Sequence, residues 1–496
     1  MKQISISSLM SGSGVGFGTS GARGLVSRMT DEVCYAYTRA FLQHLKQQKI
    51  SSNIHQVAIA GDLRPSTHRI MVAVIKAAEA VKIEPIFCGL IPSPAVALYG
   101  IRHQMPSIMV TGSHIPDDRN GIKFNTVLGE ITKDDEQGIR EQSVSLDEAL
   151  FDSQGMFVEH YQLPTLNNLA ASEYYQRYTD IFGEAALEGM TVGVYQHSGV
   201  ARDLLVNLLQ ALGVRVIALG RSETFVPVDT EAIRHEDVEL ARQWACEHEL
   251  DAIVSTDGDA DRPLISDEHG NWLRGDAVGC LCARFLGADF VVTPVSSNTA
   301  VDKSGWFSKV NRTRIGSPFV IEAMENLAQA GHKKIVGYEA NGGFLQQDET
   351  DLEGRVLSPL PTRDAVIVIL GLLVSAKQQG ISISRLATQL PQRFTFSDRI
   401  KDIPTDKSKA LIAGFGTGSP EQNKNRIREF FGQKFGDVER IDVTDGLRIT
   451  FSSNDIVHLR PSGNAPELRC YTESGNLADA RENNREALQF VKQALS

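Results

Sequence analysis

Three carboxylates stand at alternate positions in Asp257-Gly258-Asp259-Ala260-Asp261, directly after the β-branched run Asp251 to Ser255. A strand that ends in so tight a loop gathers hard oxygen ligands. Such ligands suit Mg²⁺, which takes a few carboxylates and completes its octahedron with water or phosphate. An EF-hand would share the acidic spacing and a glutamate, Glu268, at its far end. Arg262 stands where its glycine belongs, however, and a strand precedes instead of a helix. A solvated acidic turn is the plainer alternative. Thr111-Gly112-Ser113-His114-Ile115-Pro116 closes a second strand, Ser107 to Val110, with Lys123 downstream. A serine there becomes a nucleophile if a metal binds its oxygen or its phosphate and Lys or His moves the proton. The segment is not Gly-x-Ser-x-Gly, so a hydrolase elbow is disfavoured, and an ordinary turn also fits.

Two further segments suit anions. Arg460-Pro461-Ser462-Gly463-Asn464 turns between two strands and offers a guanidinium, a hydroxyl and backbone N–H groups to a phosphate. A plain hairpin would share all of this but the arginine. Phe17 to Gly24 is a Gly-rich loop carrying Arg23, and it lacks the Gly-Lys-Ser/Thr of a nucleotide loop. A serine, an acidic metal cage, a separate anion cradle and several arginines together make the inventory of a phosphoryl-transfer site that holds two phosphates.

The elements that position these loops are α/β. Strands are predicted at Gln56 to Ala60, Ser107 to Val110, Thr191 to Tyr195, Arg215 to Ala218, Asp251 to Ser255, Phe290 to Pro294 and Lys334 to Gly337, with helical periodicity between them. Polar loops follow the strands' C-terminal ends, the edge where open α/β sheets bind ligands. The last hundred or so residues change character. A capping box at Ser419 to Gln422 opens a helix to about Gly432. Short strands follow at Glu439 to Val443, Leu447 to Phe451, Ile456 to Leu459 and Leu468 to Tyr471, and then a C-terminal helix. This predicts a strand-rich α+β unit after α/β domains, with boundaries near residues 168, 275 and 388.

The 496 residues carry a net charge of −11, with 42% hydrophobic and 22% charged residues. That composition excludes a disordered or fibrous chain and argues against nucleic acid or an anionic membrane as partner. The longest nearly uncharged apolar stretch, Ala365 to Ala376, is shorter than the ~18 to 20 residues that cross a bilayer. The N-terminus lacks an apolar leader core. Six cysteines without a Cys-x-x-Cys pair suit a reducing compartment. The expectation is a soluble, cytoplasmic protein, and length alone suggests about three domains.

In motif order and across nearly its whole length, the chain resembles the α-D-phosphohexomutase family. Phe17 to Gly24 is similar to that family's N-terminal arginine loop, Thr111 to Pro116 to its phosphoserine loop, Asp257 to Arg262 to its metal loop, Tyr338 to Gly343 to its sugar loop, and Arg460 to Asn464 to its phosphate loop. Gly61 to Ser66 and Ile91 to Ala95 also look like recurring family segments. The resemblance implies four domains around a central cleft: three related α/β domains with mixed sheets (residues 1–168, 169–275 and 276–388) and a C-terminal strand-rich α+β domain (389–496).

It also implies roles. Ser113 would cycle through phosphoserine and, with Asp257, Asp259 and Asp261, bind a single Mg²⁺. Lys123 and His114 would handle the proton, and Arg23 would hold the transferring phosphate. Arg262, Glu339, Asn341 and Gly316 would face the sugar, while Arg460, Ser462, Gly463 and Asn464 would grip the other phosphate. The implied reaction interconverts hexose 1-phosphates and 6-phosphates, foremost those of mannose, in a monomer or homodimer activated by hexose 1,6-bisphosphate. A phosphoglucomutase, a phosphoglucosamine mutase and a metal-dependent sugar phosphatase are the alternatives. Ala340 and Asn341 replace the serine usual after the sugar-loop glutamate, Ile115 stands where asparagine is common, and Asn464-Ala465 departs from the usual phosphate loop. These departures bear on which sugar is bound more than on phosphoryl transfer.

Overall fold

Residues 2–18, 21–48, 54–462 and 466–495 are described by the computed structural model. Their contacts fall into two units, Met1–Val291 with Gly316–Ala387, and Val292–Ile315 with Thr388–Ser496.

In the first unit the β-branched runs become strands of mixed sheets. The largest is built from β1 (Gly16–Phe17), β2 (Gly21–Leu25), β3 (Gln56–Gly61), β4 (Glu84–Leu90), β5 (Ser107–Val110), β6 (Arg119–Thr126) and β7 (Gly129–Glu130). Its order is β1-β2-β6-β5-β3-β4, with β7 on β6. β3 runs parallel to β4 and β5, while β6 is antiparallel to β2 and β5. Because β3 and β5 are parallel, their C-terminal ends share one edge, which brings Asp62 and Arg64 beside Thr111 to Ser113. The predicted Gly-rich loop at Phe17 to Gly24 is a hairpin instead: Gly16 pairs with Arg23 and Phe17 with Ala22. Thr19 and Ser20 lie outside the described residues. Gly21 lets β2 lie close against β6, where a Cβ would run into the Ile122 carbonyl oxygen, so the glycine that looks like a loop signal in sequence serves packing.

β8 (Thr191–His197), β9 (Arg215–Arg221), β10 (Ala252–Thr256) and β11 (Pro263–Ile265) form a second sheet in the order β9-β8-β10-β11, with only β11 antiparallel. The acidic loop is the connection from β10 to β11. β12 (Ile335–Tyr338) and β13 (Phe344–Gln346) are an antiparallel pair whose connection carries Glu339 to Gly343.

The apolar stretch at Ala365 becomes α2 (Ala365–Gln379), buried along most of its length and packed on the helix Gly275–Phe285, while α1 (Leu169–Phe182) meets its start. Asp364 caps α2 by accepting from Val366 N at 3.0 Å, and its carboxylate also accepts from the hydroxyls of Tyr174 and Tyr178 on α1. Among the described residues no helix is long and apolar enough to cross a membrane.

The second unit contains an antiparallel sheet of β14 (Phe394–Lys401), β15 (Val438–Asp442), β16 (Leu447–Phe451), β17 (Ile456–Pro461) and β18 (Glu467–Ser474), in the order β14-β18-β17-β16-β15. The capping box is present: Ser419 Oγ accepts from Gln422 N, and Gln422 Oε1 accepts from Ser419 N at 2.9 Å. β14 escaped the sequence reading because it is an edge strand carrying Asp398, Arg399 and Lys401, charges that blunt an edge and dilute its apolar signal. Phe431, fully buried, sits among Phe435, Phe451 and Phe490 at centroid distances of 5.3, 6.2 and 5.9 Å. Phe431→Ala is expected to cost about 3–5 kcal/mol, read as a lower denaturation midpoint by chemical unfolding.

Candidate active site

Ser113 follows β5 in a backbone conformation that L-residues seldom adopt, with φ +57°. Its amide donates to Thr111 Oγ1 at 2.8 Å, and Thr111 in turn donates to Asp62 Oδ2 at 2.7 Å. This turn aims Ser113 Oγ at the acidic loop, where it donates to Asp257 Oδ2 at 2.5 Å. Ser113 is 1% exposed and Asp257 and Asp259 are fully buried.

One carboxylate oxygen from each of Asp257, Asp259 and Asp261 lies within 4.8 Å of the others. Lys123 on β6 bridges two of them, donating to Asp259 Oδ2 at 2.5 Å and Asp261 Oδ2 at 2.6 Å. Asp259 Oδ2 also accepts from Ser93 Oγ, and Asp261 Oδ2 is ion-paired with Arg363 at 3.0 Å. The second oxygens, Oδ1 of Asp259 and of Asp261, are buried with no hydrogen-bond partner among the described residues. Two orphaned carboxylate oxygens beside a third carboxylate and a serine hydroxyl are a hard, anionic donor set that fits a divalent cation such as Mg²⁺.

The electrostatics agree with that fit. Burial, then the charges of Asp259 and Asp261, push the Asp257 carboxyl well above the usual range. Burial would raise Asp261 too, but Arg363, Lys123 and Arg262 outweigh it and hold that carboxyl low.

The cationic side chains divide by what they already hold. Arg262 Nη1 donates to His114 Nδ1 at 2.9 Å, and its Nε is buried without a hydrogen-bond partner among the described residues. Burial and the nearby Arg262 and Arg23 hold His114 down at about 2. His114 is therefore a neutral ring, and its Nδ1, which accepts from Arg262, also lies 3.2 Å from Ser113 Oγ. The Arg23 guanidinium has neither hydrogen bond nor ion pair among the described residues, and burial, with Arg262 and Arg363 nearby, lowers it to about 10. It remains a cation at neutral pH, available to an anion.

Arg363, 1% exposed, reaches Glu130 Oε1 at 3.1 Å as well as Asp261, and lies 3.8 Å from Glu339 Oε2. Glu339 is buried, its carboxyl raised by that burial against the pull of Arg363 and Arg262, and its Oε2 has no hydrogen-bond partner among the described residues. Asn341 Oδ1 accepts from Gly343 N at 2.9 Å, so this side-chain oxygen holds its own turn. Gly316, φ +130°, precedes the helix Ser317–Gln329, whose Ser317 donates to Glu130 at 3.0 Å.

In the second unit Arg460 Nε donates to Asp445 Oδ1 at 3.0 Å, and Ser462 is buried with its amide bonded to the Glu467 carbonyl at 2.9 Å. Gly463 and Asn464 lie outside the described residues.

The sequence reading thus named Ser113, Lys123, His114, Arg23, Arg262, Glu339 and the three aspartates, all of which belong to the first unit. It missed Ser93, Glu130 and Arg363 as partners of the cage. Ser93 lay within a segment already noted as recurring, without a role. Arg363 had one signal, a charged residue set directly before the most apolar helix.

Strand-end loops that enclose a serine, a cation cage and an unpaired arginine define a phosphoryl-transfer class of site. Models of phosphoglucomutase/phosphomannomutase domains match in chain order: α/β/α domain I over residues 14–149, domain II over 172–270, domain III over 274–394 and the C-terminal domain over 406–490. A phosphomannomutase from Salmonella muenchen is 45% identical over 483 residues, covering 97% of each chain. One from Sinorhizobium fredii is 40% identical over 467 residues, covering 94% of this chain and 96% of that one. The solved structure of a phosphoglucomutase/phosphomannomutase family protein from Burkholderia thailandensis is similar with a TM-score of 0.70 at 19% identity, covering 99% of both chains. The chain belongs to the phosphoglucomutase/phosphomannomutase family, with three α/β domains and a C-terminal domain as the resemblance implied.

A divalent cation that binds only the folded cage stabilises it by about 2.7 kcal/mol at a concentration a hundredfold above its Kd. Melting followed by calorimetry is expected to shift upward on adding MgCl₂ to chelator-treated protein. In Asp257→Asn the shift should disappear, while the metal-free protein melts higher than wild type because one of three crowded charges is gone.

Proposed function

We propose that the protein is a phosphohexomutase that interconverts mannose 1-phosphate and mannose 6-phosphate through phosphorylated Ser113 and a hexose 1,6-bisphosphate intermediate, with Mg²⁺ in the aspartate cage. The observation that carries the chemistry is Ser113 Oγ, 2.5 Å from Asp257 in a carboxylate cage in which two buried oxygens accept no hydrogen bond among the described residues. Mannose is favoured because relatives 45% and 40% identical over nearly the whole chain are phosphomannomutases. The four-domain division near residues 168, 275 and 388 and a cytoplasmic location belong to the same proposal.

Ser113 Oγ, Asp257, Asp259 and Asp261 would hold the metal, which when bound supplies positive charge to the transferring phosphoryl group. The chain's own residues do the rest. Arg23 takes up the phosphate on Ser113, whose P–O bond to Oγ breaks as a P–O bond to the free sugar hydroxyl forms. Lys123 gives a proton to Ser113 Oγ as that oxygen leaves phosphorus and takes up the sugar hydroxyl's proton in exchange; the return step runs this exchange backwards. Glu339 and Arg262 receive sugar hydroxyls, and Arg460 and Ser462, with Gly463 and Asn464, bind the phosphate that is not moving. After the bisphosphate turns end over end, the same groups act on the other phosphate.

The test is turnover of Mg²⁺-supplied protein on mannose 1-phosphate and glucose 1-phosphate with trace bisphosphate, followed by ³¹P NMR. Accumulation of 6-phosphate, faster from mannose, is the expected result. Release of free phosphate would make the protein a phosphatase instead. Ser113→Ala should lower turnover at least about a thousandfold, the scale of losing a nucleophile that works as part of a unit; undiminished turnover would remove Ser113 from the mechanism.

A further inference from the structure

We propose that Arg64 is a positioning residue for phosphoryl transfer, a role that rests on the function proposed above: its guanidinium templates the serine loop against the metal loop. The Arg64 side chain is fully buried. Nε donates to Asp62 Oδ2 at 3.1 Å. Nη1 donates to the carbonyls of Pro116 and Arg119 at 2.8 and 3.0 Å, and Nη2 to those of Ser113 and Ile115 at 2.8 and 2.5 Å. A guanidinium has five N–H donors, and all five are spent on these contacts. None is left for a substrate phosphate, which separates Arg64 from Arg23.

Three observations tie this fork to the reacting oxygen. Four of the five bonds go to backbone carbonyls between Ser113 and Arg119, so a single rigid plane fixes the path of the loop. Asp62 binds the guanidinium and also accepts from Thr111, whose Oγ1 receives the Ser113 amide. The strained φ at Ser113 is therefore held from both sides. Gly112 leaves the space that the guanidinium occupies, because a Cβ there would lie 2.6 Å from Arg64 Cζ.

The same group reaches across to the second sheet. Arg64 Cζ stands 4.1 Å from the centroid of the Phe225 ring, a cation–π contact. A Cβ on Gly258, in the metal loop, would lie 2.5 Å from the Ser113 carbonyl oxygen and 3.5 Å from Phe225. The carbonyl that Arg64 Nη2 grips is thus the surface against which the aspartate loop packs. Lysine could keep the charge but reach only part of this carbonyl set.

The test compares wild type with Arg64→Lys, Gly112→Ala, Phe225→Leu and the Arg64→Lys/Gly112→Ala double variant. Each is first checked by melting temperature, and then assayed for kcat and KM on the sugar phosphate that wild type converts. For Arg64→Lys the expected result is a kcat lower by about a hundredfold, the cost of a misplacement near 1 Å, with KM within about twofold because no substrate contact is lost. The double variant should be no slower than the worse single, since both disturb one contact. Amides of residues 111–121 should exchange hydrogen faster in each single variant.

Unchanged kcat in folded Arg64→Lys, a rise in KM alone, or fully additive losses would each overturn the assignment. If Arg64→Lys does not fold, Gly112→Ala and Phe225→Leu carry the same comparison. If wild type converts no hexose phosphate, the functional proposal fails, and unchanged exchange at residues 111–121 separately defeats the templating role.

Discussion

Three buried carboxylates within 4.8 Å of one another are the constraint to which the first unit answers. Uncompensated, they would be among the most expensive features a fold can carry, because burial removes the water that would screen their repulsion. Lys123 enters from the first sheet to bridge Asp259 and Asp261, and Arg363 enters from the start of α2 to hold Asp261. Compensation is incomplete: among the described residues Oδ1 of Asp259 and of Asp261 accept no hydrogen bond, although Arg262 Nε stands 3.7 Å from the latter, and burial beside two charged carboxylates raises the Asp257 carboxyl. A cage closed by protein cations alone would be stable but inert, whereas this one retains a place for further positive charge.

The arginines express the same logic. Arg363 and Arg64 are spent, one on Asp261 and Glu130 and the other on backbone carbonyls, so their work is to hold geometry. Arg23 is unspent, and the single described hydrogen bond from the Arg262 side chain goes to a neutral His114. Those two are the cations with capacity for a phosphate or a sugar. Burial, with Arg262 and Arg363 nearby, lowers the affinity of Arg23 for its proton, whereas at Arg262 and Arg363 burial is outweighed by the surrounding carboxylates, which raise theirs. The charge nonetheless survives, because a guanidinium starts so far above neutral pH.

How much of this is legible in the sequence depends on the range of the interaction. The acidic loop and the serine loop announce themselves because their chemistry is local: alternate aspartates after one strand, a hydroxyl after another. The strand that carries the serine loop, Ser107 to Val110, was placed to the residue because its apolar run is short and sharply bounded, and the one that carries the acidic loop, expected at Asp251 to Ser255, lies one residue later at Ala252–Thr256. Glu130, Ser93 and Arg363 work across distances of 102 to 233 residues in the chain, and nothing in their neighbours records the partner. β14 is hidden for a different reason, since an exposed edge must look polar.

His114 shows how environment acts on residue type. A histidine next to a nucleophile suggests proton transfer by proximity, and its Nδ1 does lie 3.2 Å from Ser113 Oγ. Buried beside Arg262 and Arg23, the ring keeps no affinity for a proton near neutral pH, and its Nδ1 lone pair is already accepting from Arg262. Lys123 is the better-placed carrier under the proposed mechanism, because both carboxylates it bridges belong to the cage. A reaction that runs in both directions through one serine needs a proton site that is equally close to the cage whichever end of the sugar is bound. A side chain anchored to the aspartates of the cage meets that requirement.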